Sequence, residues 1–338
     1  MGLRSLLLRP WGPLLGVPPT PGGRFEVVTD DGVRLALHRV HPEGEPGPVV
    51  MLLHGLSANR HTFNFPGRSL AAYLAGRGFD CFLPELRGAG DSARPGWHWR
   101  FDDCLRRDLP AFLATIRRVT GRQAIHWVGH SMGGLLLLCH GILTPAAPVS
   151  SGIMLGSAID YRLGASAFRW LLPAKGLLQT MPFVPYGTLM SWLAPLAGRG
   201  VIDLAEAFSY WPENLEPAMA RRLHAIGFHA IPTSLLMSLA GVLGDAGLAL
   251  DDGTKVREHL GSYRIPTLVL GGSRDLQAPA AAVAHLASVL GGKPELRIFG
   301  REHGDSEEYG HFDLIVGKHA PQEVWPAISA WLEGHRSA

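Results

Sequence analysis

Short, wholly apolar runs alternate along the chain with segments of helical period. Runs of this kind are typical of strands that are buried on both faces of a parallel sheet. The predicted strands are 49–53, 79–84, 125–128, 151–155, 267–270 and 295–299. Before them, two alternating runs flank Asp30-Asp31-Gly32 and predict a β-hairpin. The order of elements predicts an α/β fold with a mostly parallel, doubly wound sheet and helices on both faces.

The alternation stops between residues 160 and 263. This block is rich in Leu, Met, Trp and Phe, is often broken by Pro and Gly, and has no convincing buried strand. We expect it to form several short helices inserted into the sheet domain. The sequence therefore divides into an N-terminal arm at 1–23, a core formed by 24–159 and 264–338, and a helical insert at 160–263.

The composition suits a large core but leaves few charges for the surface. Apolar residues make up 46% of the 338 residues and charged residues only 18%. The 31 basic and 29 acidic residues nearly balance, and no long basic run predicts contact with nucleic acid. Three widely spaced cysteines, Cys81, Cys104 and Cys139, predict buried free thiols rather than a disulfide framework or a zinc site. Free thiols fit a reducing compartment.

The first residues contain a basic and apolar segment that differs from a signal peptide. Arg4 precedes a run of leucines, but Arg9 and several prolines interrupt it, and no small-residue cleavage site follows. No run of 18 or more apolar residues predicts a membrane-spanning helix. We expect a cytoplasmic protein rather than a secreted one, with the arm lying on the protein body or on a membrane surface.

The sequence Gly129-x-Ser131-x-Gly133 lies where a predicted buried strand meets a predicted helix. A nucleophilic serine at this junction stands on a sharp turn, so its flanking positions must be small. The free N–H groups of the following helix also favour negative charge beside it. Ser131 is therefore the candidate nucleophile. An ordinary glycine-rich turn is the alternative, but it is less favoured at a strand–helix junction.

From about Phe25 to Leu332 the chain resembles serine hydrolases of the α/β-hydrolase fold, of the esterase and lipase kind with a helical cap. The segments that carry the resemblance are His54-Gly55, Arg87 to Ser92, Gly129 to Gly134, Gly271 to Pro279 and Gly310-His311. The block 160–263 corresponds in position to the family's cap, or lid. The resemblance implies a catalytic triad in the order serine, acid, histidine. The sequence shows no metal-ligand spacing, so we expect neither a metal nor a cofactor.

By this resemblance the triad is Ser131, Asp275 and His311. The histidine acts as the base that activates the serine, and the carboxylate orients the histidine. His303 is the competing base, since it also follows the last strand. Asp160 is the competing acid, because some relatives place the acid after the preceding strand. A further aspartate, at 313, is too close in sequence to His311 for the usual geometry.

The resemblance also implies an oxyanion hole made of two backbone N–H groups. One belongs to Met132, which follows the nucleophile, and the other to Leu56, in the loop after the first parallel strand. Backbone donors set no requirement on side chains, so these assignments rest on position alone. The residues expected to support or line the substrate site are His54, Gly55, Phe63 and His130.

The apolar insert predicts a lipophilic substrate, because so small a lid cannot bury all its apolar residues within itself. The predicted reaction is the hydrolysis of carboxylic esters of medium or long chains through an acyl-enzyme on Ser131. A thioesterase, lactonase or acyltransferase using the same triad remains open. A protein that binds a hydrophobic ligand without turnover is less favoured. The expected partner is a small lipophilic ester, with contact to a membrane or lipid surface as a further hypothesis.

Overall fold

The computed structural model describes residues 23–164 and 166–336. Eight strands form one sheet: β1 (Gly23–Val28), β2 (Arg34–Val40), β3 (Val49–Leu53), β4 (Asp80–Glu85), β5 (Ile125–His130), β6 (Val149–Leu155), β7 (Thr267–Gly272) and β8 (Glu295–Phe299). Their order across the sheet is β1-β2-β4-β3-β5-β6-β7-β8. β2 is antiparallel to both of its neighbours, and every other pair is parallel. The predicted hairpin and the mostly parallel sheet are both confirmed.

Helices connect the strands and form most of the insert. They are α1 (Leu70–Ala75), α2 (Leu109–Thr120), α3 (Met132–Leu143), α4 (Lys175–Gln179), α5 (Tyr186–Leu193), α6 (Asp203–Ser209), α7 (Pro217–Ile226), α8 (Thr233–Leu239), α9 (Ala280–Val289), α10 (Asp313–Val316) and α11 (Ala320–Gly334). The 3₁₀ segments include Ala167–Ala174 and Val256–Ser262.

The sheet is buried on both faces, as the apolar runs predict. Neighbouring residues of β5 contribute to different cores, because successive side chains of a strand point to opposite faces. Trp127 belongs to the core formed with α2 and α3, whereas Val128 belongs to the core formed with α1 and α11. Both side chains are fully buried. The doubly wound arrangement is therefore confirmed.

The helical segment from residue 101 to residue 120 is not one continuous α-helix. A π-helical turn, Cys104–Asp108, separates the short helical turn Phe101–Asp103 from α2. Pro110 lies in the first turn of α2, where its missing N–H costs no hydrogen bond. In a continuous α-helix the ring of this proline would collide with the carbonyl group one turn earlier. The wider π turn relieves that collision, which the helical period alone does not predict.

Between residues 160 and 263 the described chain consists of short helices and one small strand pair. Phe183–Val184 pairs with Ile231–Pro232 in an antiparallel ladder of two residues per strand. No helix in 23–164 and 166–336 combines the length and hydropathy needed to span a bilayer. The three cysteine thiols are buried and unpaired, as predicted. The N-terminal arm lies outside the described residues except for Gly23.

Candidate active site

Ser131 stands on a strained turn between β5 and α3. Its backbone has φ 54° and ψ −119°, a conformation that residues other than glycine rarely adopt. A β-carbon on Gly133 would lie 2.2 Å from the carbonyl oxygen of Leu53, so only glycine fits there. Two hydrogen bonds hold the turn: the N–H of Ser131 donates to Leu155 at 2.8 Å, and the Ser157 hydroxyl donates to the Ser131 carbonyl at 2.8 Å. The turn has the form that a nucleophilic serine requires.

Asp275 and His311 are brought together although 36 positions separate them. Asp275 follows β7 and His311 follows β8, and these parallel strands end at the same edge of the sheet. The Nδ1–H of His311 donates to Oδ2 of Asp275 at 2.7 Å, and both side chains are buried. Oδ1 of Asp275 accepts the N–H groups of Gln277 and Ala278 at 2.8 Å each. These hydrogen bonds fix the orientation of the carboxylate. Because Nδ1 of His311 is bonded to Asp275, Nε2 is the ring nitrogen that is available as a base.

His130 connects the serine turn to the histidine loop. It is fully buried, and its ring centre lies 4.5 Å from that of His311. Its Nε2–H donates to the backbone carbonyl of His311 at 3.2 Å. Burial lowers the pKa of His130 well below its ordinary value, so the ring stays neutral. The structure thus places His130 beneath the candidate base, not on the surface of a substrate cleft.

The loop after β3 lies directly against Ser131. A β-carbon on Gly55 would lie 2.8 Å from Cβ of Ser131, so this approach also requires glycine. The next residue, Leu56, lines the same cavity as Ser131 and Met132, which is where the two predicted oxyanion donors should be. His54 stiffens the loop: its Nδ1–H donates to the Gly55 carbonyl at 2.8 Å, and its Nε2 accepts the backbone N–H of the residue after β4 at 3.2 Å. Burial lowers the pKa of His54, which keeps it neutral.

A buried carboxylate, Glu85, fixes the far end of the same loop. It accepts hydrogen bonds from the Arg60 guanidinium at 2.9 Å, from the Arg60 backbone N–H at 3.2 Å and from the Asp91 N–H at 2.7 Å. Glu85, Asp91 and His38 lie close enough together to be potential metal ligands. However, the Arg60 guanidinium already forms ion pairs with both carboxylates. Burial alone would raise the pKa of Glu85, yet the hydrogen bond from His38 and the charge of Arg60 hold it below its usual range.

Replacing Glu85 by glutamine is expected to lower the free energy of unfolding by about 3–5 kcal/mol at pH 7, because Arg60 would lose its buried partner. The folded-state pKa is depressed, so this stabilisation is complete above the ordinary value of 4.5 and is lost as the pH falls through the folded-state value. Urea unfolding of the wild type and of Glu85→Gln at pH 7 and at pH 3.5, about one unit below the ordinary pKa, measures this difference in the free energy of unfolding. If the difference in the free energy of unfolding is no smaller at pH 3.5 than at pH 7, Glu85 is not the ionised, stabilising partner of Arg60.

Two apolar cavities meet beside Ser131. The first, here called the nucleophile cavity, is lined by Ser131 and Met132 and spans about 720 Å³, a volume that includes space open to solvent. The second, here called the outer cavity, is lined in part by Phe312 and spans about 1530 Å³, again including space open to solvent. Side chains that line both cavities form the ridge between them: Leu56, Phe168, Leu178 and Leu236.

Some site predictions fit these cavities and others do not. Phe63 lines neither cavity, because its side chain is fully buried in the core on the α1 face of the sheet. Leu135 and Tyr161 do line the nucleophile cavity, although neither is among the residues predicted from the sequence. The helical period could have indicated Leu135, because this residue lies one turn after Ser131 and so faces the same side of α3.

The competing triad residues lie elsewhere. His303 is exposed in a 3₁₀ turn after β8. Asp160 accepts hydrogen bonds from Arg162 at 2.8 Å and from Arg257 at 3.1 Å. Asp313 accepts backbone N–H groups instead. The described structure therefore pairs His311 with Asp275.

The family model described as the alpha/beta hydrolase fold matches residues 48–317, which is most of the chain. This chain belongs to the α/β-hydrolase family. Gastric triacylglycerol lipase of Mus musculus is similar to this hydrolase at 38% identity, over 91% of this chain and 87% of the lipase. Lipase member M of Homo sapiens is 27% identical over 91% of this chain and 82% of its own length. The predicted ester hydrolase is thus confirmed at the level of the lipase and esterase class.

Solved structures show the same fold at lower identity. A membrane phospholipase A has a TM-score of 0.64 at 19% identity, and covers 99% of this hydrolase and 91% of its own chain. A thermophilic esterase from Thermogutta terrifontis has a TM-score of 0.60 at 16% identity, over 93% and 100% of the two chains. A similar Crotalus adamanteus protein, 26% identical over 90% of this chain and 86% of its own, has a name that refers to lysosomal acid lipase/cholesteryl ester hydrolase. That name is in tension with the predicted cytoplasmic location.

Proposed function

We propose that this hydrolase cleaves esters of lipophilic acids through an acyl-enzyme on Ser131. The observation that carries the proposal is the buried hydrogen bond between His311 and Asp275 at the sheet edge where Ser131 stands on its strained turn. This is the arrangement of base and orienting acid that activates a serine hydroxyl. The apolar walls of the nucleophile cavity then select the substrate.

In the proposed reaction, Oγ of Ser131 attacks the ester carbonyl carbon while its proton passes to Nε2 of His311. Asp275 stabilises the imidazolium that forms and keeps the ring in the tautomer that leaves Nε2 free. The backbone N–H groups of Leu56 and Met132 donate to the oxyanion, where negative charge develops. His311 then returns the proton to the leaving alcohol. A water molecule deprotonated by the same histidine releases the acid and restores Ser131.

The cavities support a lipophilic substrate. The residues that line the nucleophile cavity are apolar except for Ser131, Tyr161 and Lys175. An acyl chain that leaves water for such a cavity gains about 0.8 kcal/mol for each buried CH₂ group. This gain favours chains long enough to fill the cavity. We assign residues 160–263 the role of the cap, since they supply most of the walls of both cavities.

Hydrolysis of p-nitrophenyl esters from acetate to palmitate tests this proposal. We expect kcat/KM to rise with chain length by about fourfold per CH₂ group until the cavity is full. Octanoate or a longer ester should be the best substrate. A preference for the acetyl ester would contradict the lipophilic substrate, and a folded protein inert on every ester would favour acyl transfer or ligand binding instead.

The cap also presents an exposed apolar surface, which we propose contacts a lipid surface. Large apolar side chains that are more than half exposed include Leu177 at 68%, Leu189 at 53% and Trp192 at 55%. Every charged residue from 163 to 202 is basic: Arg169, Lys175 and Arg199. Apolar and basic side chains together suit the headgroup region of an anionic lipid layer.

Replacing Leu177, Leu189 and Trp192 together by serine is expected to weaken binding to vesicles of phosphatidylcholine and phosphatidylglycerol by at least about 100-fold. None of the three lines either cavity, so hydrolysis of a dissolved short ester should stay within about twofold. Vesicle flotation and dissolved-ester kinetics measure the two effects. The control is Val28→Ser, which alters an exposed apolar residue on the β1 edge. Equal vesicle binding by the triple variant and the wild type would contradict the proposal.

A further inference from the structure

The loop that carries His311 is hydrogen-bonded to the cap as well as to the sheet. The N–H of Phe312 donates to the carbonyl of Ser209 at 2.9 Å, and the N–H of Lys318 donates to the carbonyl of Asn214 at 2.8 Å. On the sheet side, the N–H of Arg274 donates to the carbonyl of the residue two positions before His311, at 2.8 Å. The proposed base is thus supported from two directions, and one of them is cap segment 209–214.

Asp313 stands at the centre of the cap-side contact. Its side chain is fully buried, and its oxygens accept three groups of donors. Oδ1 accepts the Trp211 N–H at 3.1 Å, and Oδ2 accepts the Asn214 side-chain amide at 3.0 Å. The N–H of Gly310, directly before His311, reaches both oxygens at 3.0 Å. One carboxylate therefore joins the residue before the proposed base to two residues of the cap.

The backbones on either side of this carboxylate touch. A β-carbon on Gly310 would lie 2.6 Å from the backbone nitrogen of Trp211, so only glycine allows the loop to come this close. The N–H groups of Gly310 and Trp211 both point to Oδ1 of Asp313. Donors that converge away from water need an acceptor between them, because an unpaired buried donor is costly. Asp313 supplies four acceptor positions in a single side chain.

We propose that Asp313 is a positioning residue that ties the His311 loop to cap segment 209–214 and so keeps His311 aligned with Asp275 and Ser131. Its hydrogen bonds described here go to backbone and amide N–H groups, so it acts through His311 and takes no part in the chemical step. The inference rests on the proposed function, which makes His311 the base. It also implies that this segment of the cap cannot leave the sheet without disturbing catalysis.

Asp313→Asn tests the proposal because the side chain keeps its size. The amide offers one acceptor oxygen, and its NH₂ group meets N–H donors that the carboxylate satisfied. We expect kcat for p-nitrophenyl octanoate to fall about 10- to 100-fold, since small displacements of a catalytic group are costly. KM should change by less than about twofold, because Asp313 lines neither cavity. Asn214→Ala removes one donor from the cap side and should give a smaller fall in kcat.

Asp108→Asn is the matched control for a purely structural role. Asp108 is also a fully buried carboxylate, but it pairs with Arg87 beside α2 and contacts neither loop of the site. Its replacement should lower the melting temperature and leave kcat of the folded protein unchanged. Proton NMR adds a second measurement: the low-field Nδ1–H signal of His311 should shift or broaden in Asp313→Asn and remain in Asp108→Asn.

A wild-type kcat and an unaltered Nδ1–H signal in folded Asp313→Asn would overturn the inference. Asn214→Ala keeps the test decisive if Asp313→Asn does not fold: a fall in its kcat at constant KM supports the inference, and a wild-type kcat overturns it. The activity of His311→Ala distinguishes a failure of the proposed function from a failure of the positioning role alone. If that variant keeps wild-type activity, the proposed function fails as well; if it is inactive while Asp313→Asn is normal, only the positioning role fails.

Discussion

Replacing Ser131 by alanine is expected to reduce kcat/KM for p-nitrophenyl octanoate by at least about 10⁴-fold. Without Oγ no acyl-enzyme can form, and no other described side chain occupies the tip of the turn between β5 and α3. The remaining activity would come from the oxyanion hole and from substrate binding alone. Alanine has a β-carbon like serine, so the strain at φ 54° is unchanged and the variant should fold.

Ser151→Ala is the matched control for this variant. Ser151 is a fully buried serine on β6 whose hydroxyl bonds to His126, away from the site. Its loss should affect stability but leave the activity of the folded protein within about twofold. Initial rates at equal concentrations of folded protein compare the two variants. Substantial activity in Ser131→Ala would move the chemistry to another residue.

Asp275→Asn is expected to reduce kcat by about 10⁴-fold while changing KM little. The asparagine can hold the same place, because the N–H groups of Gln277 and Ala278 still find its oxygen. Its amide then presents N–H to Nδ1 of His311, which favours the tautomer with the proton on Nε2. That tautomer cannot accept the proton of Ser131, so the base is present but inactive.

The competing acid provides the comparison. Asp160→Asn should keep kcat within a few-fold of the wild type, because Asp160 pairs with Arg162 and Arg257 and not with His311. The kcat of both variants is measured at pH 7 on equal concentrations of folded protein. A larger loss for Asp160→Asn than for Asp275→Asn would reverse the choice of acid.

The sequence carries enough information for the sheet and the serine turn. Strands buried on both faces must be apolar throughout, so runs such as 49–53 and 267–270 are visible without a structure. Glycines at 129 and 133 reveal a turn that admits no β-carbon. Asp275 is assigned through the family resemblance, supported by its place just after a buried strand. These signals are local, and each depends on a few neighbouring residues.

Other features depend on contacts between distant segments. Phe63 is close in sequence to the oxyanion loop, yet the small strand pair Asn64–Phe65 and Arg68–Ser69 helps turn it into the core. Tyr161 reaches the nucleophile cavity because the chain turns after β6. The contact of Asp313 with Trp211 joins residues 102 positions apart. No periodicity links such positions, and only the packing of the cap onto the sheet brings them together.

The cap is hydrogen-bonded to two loops of the proposed site, the loop that carries His311 and the loop that carries Leu56. Segment 209–214 holds the His311 loop, while the carbonyl and N–H of His229 bond to Ser57, next to the predicted oxyanion donor Leu56. The exposed apolar surface lies on a different part of the cap, in residues 163–204.

The central claim is that Ser131 becomes covalently acylated, and mass spectrometry of the trapped enzyme tests it most directly. The protein is treated with an octyl p-nitrophenyl phosphonate, which forms a stable adduct with an activated serine, and is then digested. We predict one added phosphonyl group on the peptide that contains Ser131, matching the loss of esterase activity, and none in Ser131→Ala. Loss of activity with the label on another residue, or with no label, would contradict the account.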